Sequence, residues 1–391
     1  MSHHGNTRHR QCRSFVFLHC TMPFLTDRYR RLAACLALIA WPCLAAAAPA
    51  SKAIVIAHPA DLSGPGADFS RDYTLGAKVY FDHINGQGGI NGRRLLYRSA
   101  DTAGKLSQGV ATAHAMREAG AQVLFGISGD QLVDELARDP QWRTAGIPLF
   151  GVIAASDGAA GAIPLRASRS DEVRAMIRQL ASMGVVNFGL IVDRNRAAET
   201  ERQIQAVAAE SGARITISQR LDGNDPHAPD KLAQIVAAAR PQALIVIADT
   251  LAAAQVFQRY RPLDPGAFLC APAEVNIRTL ISILGPKTAR GLIVSQVVPN
   301  PAGISELARE HRKLMEKYAD EPASQATLEG FVAAKALVRT LQQRDGNAPD
   351  GPLRPQGKWD LGGYTLDFST GQRASRFVEL TVVDRNGRLL R

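Results

Sequence analysis

The sequence predicts an α/β protein of two lobes, each built around its own parallel sheet. From residue 53 onward, short apolar runs alternate with helix-length segments rich in Ala, Arg, Gln and Glu, the order of βαβ units. A glycine-rich passage without periodicity, Asp157–Ile163, divides the series in two. Residues 51–391 are enough chain for two lobes of ordinary domain size. No fixed-period self-similarity marks a solenoid or propeller.

The first fifty residues are set aside as a leader. Arg28, Arg30 and Arg31 precede the apolar run Leu32–Leu44, and Ala45–Ala48 follow it. A charged start, an apolar core and small residues suited to cleavage predict a secretory signal peptide cut within Ala45–Ala50. The apolar run is shorter than the roughly 20 residues that a membrane span needs. Leu32-Ala33-Ala34-Cys35 looks like a lipobox, but it follows the arginines directly, with no apolar segment ahead of it. Met1 and Met22 both remain open as the start. Export to the periplasm, without stable membrane insertion after cleavage, is the expectation.

The first lobe opens with the strand Ala53–His58 and the loop Ser63-Gly64-Pro65-Gly66. That loop stands at the carboxyl end of a strand, where open α/β sheets hold ligands. Tyr73, Ala77, Tyr80, Phe81 and Ile84 then mark one apolar helix face. Gly86, Gly88 and Gly89 stop the helix, and Asn91-Gly92 is the dipeptide of a tight hairpin turn. Val123–Gly126 and Pro148–Gly151 continue as strands, each ending on glycine.

The break between lobes falls near Leu165–Arg169, where Ser170 caps a helix over Asp171–Met183. Strands at Gly189–Val192, Ala243–Ala248, Ala267–Ala271 and Leu292–Gln296 alternate with helices at Ala198–Ser211 and Pro229–Ala239. Val297–Pro301 returns the chain to the first lobe for helices Ile304–Ala319 and Gln325–Arg344. A polar Gly/Pro run, Gly346–Gly357, leads to a strand pair, Gly363–Phe368 and Phe377–Val383. The predicted units are therefore 1–50, 51–166 plus 297–348, and 167–296 plus 349–391. They are joined by a three-crossing hinge of the kind that absorbs closure.

Composition excludes several function classes. Six Lys/Arg against one Asp/Glu in the leader carry half of the formal charge of +10. The remaining excess is spread out, without the clustered basic face of a nucleic-acid binder. Cys12, Cys20, Cys35 and Cys43 lie in the leader, so Cys270 stands alone and no intramolecular disulfide is expected past it. His58, His83, His114, His227 and His311 are scattered without metal-ligand spacing. Gly126-Ile127-Ser128-Gly129-Asp130 lacks the last glycine of a nucleophile elbow. Gly86-Gln87-Gly88-Gly89 follows a helix, whereas a dinucleotide loop follows a strand. No enzyme activity, cofactor or metal is expected.

Several residues stand where a ligand is held in such folds. Ser128, on a strand-to-helix loop, either donates to a ligand oxygen or caps the next helix; Asp130 has the same two roles open to it. Asp249 ends an apolar strand ahead of a helix, as a cap or a cleft acid. Arg169 is a ligand or lobe-bridging residue or an idle surface arginine, and Glu274 reads first as a solvated loop carboxylate. Phe69, between the Gly/Pro loop and the helix stripe, reads as a cleft-facing wall.

Seven segments carry a family resemblance: LSGPGADF (62–69), NGQGGINGRRL (85–95), GIPLFG (146–151), RASRSDE (166–172), ARGLIVSQVVPNP (289–301), LEGFVAAKAL (328–337) and SRFVELTVV (375–383). In this order and spacing, the chain resembles the type I periplasmic binding proteins of the branched-chain (Leu/Ile/Val) amino acid type, the substrate-binding subunits of ABC importers. The resemblance implies two Rossmann-like lobes that close on a small-molecule solute and present it to a membrane permease. The same fold also serves periplasmic sensors that signal through a membrane protein, and sequence does not separate the two.

The family pocket places hydroxyls and backbone N–H groups on the solute carboxylate and an acid on its ammonium. By resemblance, the matching positions here are Ser128, Gly129 and Asp130, then Ala154, Ala155 and Ser156, with Pro272 and Glu274 near the family acid. Asp130 and Ala154 replace expected hydroxyl residues, and Arg169 stands where relatives often carry Tyr. Asp130 repels a carboxylate unless a group such as Arg169 pairs with it. The expected cargo shifts from an aliphatic amino acid to a small polar or aromatic solute, amino-acid-like or a carboxylate or amide.

Overall fold

Strand β1 (Ile54–Ala60) enters the first sheet and leads through the Gly/Pro loop into α1 (Ala67–Gly86). A computed structural model describes residues 53–154, 161–194, 196, 198–347, 353–369 and 373–390. The leader, Ala155 and Ser156 lie outside them. After α1 come β2 (Leu95–Asp101), α2 (Leu106–Glu118), β3 (Val123–Phe125), α3 (Asp130–Arg138), α4 (Pro140–Ala145), β4 (Leu149–Phe150) and β5 (Ala162–Ile163). The five strands pair in the parallel order β2-β1-β3-β4-β5.

The second lobe runs α5 (Arg169–Ala181), β6 (Asn187–Asp193), α6 (Ala198–Glu210), β7 (Arg214–Leu221), α7 (Ala228–Ala238), β8 (Ala243–Ile247), α8 (Thr250–Tyr260), β9 (Phe268–Ala271), α9 (Ile277–Ala289) and β10 (Leu292–Gln296). Its parallel strands repeat the first lobe's arrangement, β7-β6-β8-β9-β10. The chain then forms α10 (Glu306–Tyr318), α11 (Gln325–Asn347), β11 (Lys358–Asp360), β12 (Thr365–Asp367), β13 (Glu379–Val383) and β14 (Leu389–Leu390). Strand β13 adds antiparallel to β10, and β14 to β13.

Both sheets are covered on both faces, which is why inner strands such as β3 and β8 read as unbroken apolar runs, while the edge strands β2 and β7 carry polar residues. Ile54, Ile56, Val123 and Phe125 face α1, α10 and α11, while Ala57 and Leu124 face α2, α3 and α4. The period of two sorts the second lobe likewise: Leu244 and Val246 toward α7–α9, Ala243 and Ile245 toward α5 and α6. Helix α1 buries Tyr73, Ala77, Tyr80, Phe81 and Ile84, the face expected from the sequence. It lies so close to α11 that a Cβ on Gly76 would meet the Thr327 carbonyl oxygen at 1.8 Å, and one on Gly330 that of Tyr73 at 1.9 Å. Asn91 and Gly92 both take positive φ, 49° and 77°, in the expected tight turn.

Three expectations change. The cap of α5 is Ser168, not Ser170: its hydroxyl accepts from Asp171 N–H, and the Asp171 carboxylate accepts from Ser168 N–H. The strand pair expected between 363–368 and 377–383 does not form, because β12 pairs with β11 and β13 with β10. The span 349–391 is also divided between the lobes. Leu353, Trp359, Leu361, Tyr364, Leu366 and Ala374 are buried in the first lobe's core, and only β13 and β14 join the second sheet. No helix among the described residues is long and apolar enough to cross a membrane.

Candidate functional site

In each sheet the strand order reverses beside its first strand, between β1 and β3 and between β6 and β8, and open α/β sheets bind ligands outside the carboxyl ends there. The loops after β1, β3, β6, β8 and β9, together with the start of α5, supply the side chains that meet between the lobes.

At the center is Arg169, the first residue of α5, with its side chain 1% exposed. Its Nη1 donates to Asp130 Oδ2 of the first lobe at 3.0 Å and to the Thr200 hydroxyl at 3.3 Å. Its Nη2 donates to Glu274 Oε1 at 2.6 Å, and Arg196 Nη1 reaches Glu274 Oε2 at 2.8 Å. The result is an alternating chain of charges, Asp130–Arg169–Glu274–Arg196. Burial opposes the Arg169 charge, but Glu274 and Asp130 outweigh it and raise its pKa further. Burial likewise works against the Glu274 carboxylate, yet Arg169, Arg196 and Arg166 hold its pKa at about 2.

Further contacts cross between the lobes. Asn276 Nδ2 donates to Asp72 Oδ2 at 3.3 Å, and Arg278 Nη2 to the Ala323 carbonyl at 2.6 Å. The Thr250 side chain hydrogen-bonds Asp68, whose pKa burial raises. The lobes are therefore in direct contact, a closed arrangement.

The loop bearing Ser128 is held from below. Tyr97 Oη lies 2.6 Å from His58 Nδ1, and His58 Nε2 lies 3.0 Å from the Gly126 carbonyl. A carbonyl only accepts, so Nε2 carries the proton and Nδ1 accepts from Tyr97. Burial pushes the His58 pKa down to about 4, which keeps the ring neutral. Gly126 sits at φ 65°, where a Cβ would strike Tyr73 and His58 at 2.8 and 2.9 Å.

The hinge has its own buried network. Glu172 Oε1 accepts from Arg166 Nη2 at 2.8 Å, and its Oε2 from Ala273 N–H at 2.7 Å and the Ser295 hydroxyl at 2.5 Å. Arg166 Nη1 reaches Glu329 Oε1 on α11 at 3.0 Å. Arg373 donates to the carbonyls of Arg166 and Ala154, each at 3.2 Å. One turn of α5 thus fixes the 273–274 loop twice, through Glu172 on the backbone and Arg169 on the side chain. A cavity of about 10 Å³ beside Tyr73, Arg166, Glu329 and Tyr364 has room for a single water.

The structure brings Asp130, Arg169 and Glu274 together. Asp130 is not the cap of α3: Gly129, at φ 105°, holds that position, and the Asp130 carboxylate turns to Arg169. Glu274 is not solvated, because two guanidinium groups take its oxygens. Asp249 does cap α8, accepting from Ala252 N–H at 3.0 Å. Ser128 is half-buried and bridges to Ile153 through its backbone. Ala154 lends its carbonyl to Arg373. Phe69, expected as a cleft wall, is 5% exposed and packs in the first lobe's core with its ring 6.2 Å from Tyr73. Sequence reasoning did not single out Thr200, Arg196, Asp68, Asp72, Thr250, Asn276, Arg166, Glu172 or Glu329. Asp68 carried a usable signal, an acid in the first turn of a helix that follows a Gly/Pro loop.

A family model described as a periplasmic binding protein matches residues 53–352. A substrate-binding periplasmic protein from Ralstonia solanacearum shares 26% identity at TM-score 0.78, over 86% of this chain and 99% of that one. A possible leucine/isoleucine/valine-binding protein from Rhodopirellula baltica shares 20% at TM-score 0.78, over 88% and 98%. The branched-chain amino acid transporter substrate-binding protein of Streptococcus pneumoniae, in complex with isoleucine, shares 15% at TM-score 0.72, over 86% and 98%. The sequence matches no curated protein.

Proposed function

This chain belongs to the periplasmic binding protein family, and on that premise we propose that it captures a small solute between its lobes and delivers it to an ABC importer. One observation carries the reading: side chains of both lobes converge in a buried cluster at the carboxyl ends of the two sheets, Asp130 from one and Arg169, Glu274 and Arg196 from the other. Open–closed exchange follows from the three hinge passages, and a solute touching both lobes stabilizes the closed form. In this reading Ser128 and the Gly129 amide face the solute from the first lobe, and Arg169 faces it from the second. Asp130 and Glu274 serve to hold Arg169 rather than to touch the solute first. The solute is small, polar or aromatic.

Thermal unfolding of the purified chain across a broad metabolite panel tests the proposal. A true ligand at a hundredfold its Kd adds about 2.7 kcal/mol of stability and raises Tm. A panel spanning amino acids, organic acids, amides, sugars and nucleosides in which nothing raises Tm would overturn it.

A further inference from the structure

The cluster around Arg169 also carries information about the solute. A guanidinium has five N–H groups in a fixed fork. The terminal nitrogens of Arg169 serve Asp130, Thr200 and Glu274, but Nε is buried and its N–H has no acceptor. A buried donor of a charged group left without a partner is costly, and its place beside a cleft-spanning ion pair marks where an acceptor atom belongs.

The acids in reach of that point are already committed. Arg169 and Arg196 take one oxygen each of Glu274, and Asp130 gives Oδ2 to Arg169. The chain Asp130–Arg169–Glu274–Arg196 is neutral by itself. An ammonium brought beside Arg169 Nε would face the guanidinium charges of Arg169 and Arg196, whose acidic partners Asp130 and Glu274 are already bridged to them. An acceptor oxygen meets a donor already in place. Other acids at the lobe contact have partners elsewhere: Asp249 accepts from Ala252 N–H, Asp68 hydrogen-bonds Thr250, and Asp72 accepts from Asn276 and Ser324. Asp68 Oδ2 is buried without a partner, so a hydroxyl or amide N–H elsewhere on the solute completes it.

Resting on the reading of this cleft as the solute site, we propose that the solute is a carboxylate or amide with no amino group on the carbon beside it, held through an oxygen on Arg169 Nε. Arg169 is thereby the residue that turns the site away from amino acids.

Matched compounds test this on the purified chain, by thermal shift and calorimetry. The probes are leucine and phenylalanine, the α-keto and α-hydroxy acids with the same skeletons, benzoate and benzamide. At least one amine-free compound is expected to raise Tm and to bind at least about tenfold tighter than its amino acid. Arg169→Lys keeps the cation but has no Nε–H, and is expected to weaken that binding about tenfold. Because Arg169 is buried, circular dichroism and a cooperative thermal transition without added compound first establish that Arg169→Lys is folded, and the comparison of matched compounds on the parent stands independently of that variant. An amino acid binding as tightly as its amine-free partner overturns the class and leaves the binding-protein reading standing. Unchanged binding in Arg169→Lys overturns the role of Nε. No shift with any of these probes also overturns the class, and only silence across the broad metabolite panel counts against solute binding itself.

Discussion

Arg169 Nη1 stands 3.0 Å from Asp130 Oδ2, and the two residues belong to different lobes. Both side chains are nearly fully buried, so the pair exists only while the lobes are together. Breaking a buried pair by removing one partner costs about 3–5 kcal/mol, unless the remaining charge regains water. Opening the cleft supplies that water. Asp130→Asn is therefore expected to shift the chain toward an open form rather than to unfold it. Spin labels on α3 and α7 would show a longer mean separation in the variant, and an unchanged distribution would sink the idea. Cys270, the one cysteine among the described residues, is buried and does not compete for label.

Glu329 gives the hinge a pH response. Burial pushes its carboxyl up to about 7 against the pull of Arg166, and the charges of Glu172 and Glu274 add to the rise. The folded pKa lies above the unfolded value of 4.5, so the folded state holds the proton more tightly. Its stabilizing contribution is complete below pH 4.5 and is lost as pH rises through about 7. Glu329→Gln cannot titrate, and the parent should lose stability relative to the variant across this window, by an amount of order 3 kcal/mol. Urea unfolding of both proteins at several pH values reads the difference, and parallel curves would refute the assignment.

His311 predicts the opposite slope. It is fully buried on α10 with neither ring nitrogen partnered, and its ring packs 5.2 Å from Phe331. Burial, aided by Arg312, pushes its pKa down to about 3. A lowered folded pKa means that stability falls as pH drops below 6.5 toward 3, where the unfolded chain binds the proton first. His311→Met removes two unsatisfied polar atoms and fills similar volume. A gain of about 1 kcal/mol at neutral pH, growing under acid, is expected in denaturant unfolding. A loss at neutral pH would show that the nitrogens are satisfied in solution.

Gly330 lies inside α11, where alanine ordinarily favors a helix by about 1 kcal/mol. Here an added Cβ would sit 1.9 Å from the Tyr73 carbonyl oxygen, and backbone must move. Gly330→Ala is expected to destabilize by about 2–3 kcal/mol in urea unfolding, the scale of overpacking. A stabilized variant would mean that the helices do not approach so closely.

The parts of this architecture legible in sequence are those set by local pattern. Helix α1 announced itself by an apolar stripe, and Asn91-Gly92 by the positive φ that its turn demands. The site was legible only in part. Asp130 and Arg169 stand out in the sequence as unlike charges in pocket loops that can pair with each other. Glu274 reads as solvated in the sequence because nothing within its loop offers a cation; Arg169 approaches from 105 residues away. Glu172 reads as an ordinary exposed acid in a helical first turn, and three partners from separate elements bury it. The pairing of residues 358–383 was unreadable for another reason: strands of three residues carry no usable periodicity.

The glycine contact between α1 and α11 has a consequence for the order in which the molecule is completed. Asp72 and Ser324, bonded at this helix pair, are 252 residues apart in the chain. The parallel strands of the second lobe, by contrast, come from one uninterrupted stretch, 187–296. A chain emerging amino end first can assemble that sheet while α1 still lacks the helix that covers it. The apolar face of α1, among the first residues of the folded part, therefore stays open until α11 has arrived, whereas the second lobe by then lacks only the edge strands β13 and β14.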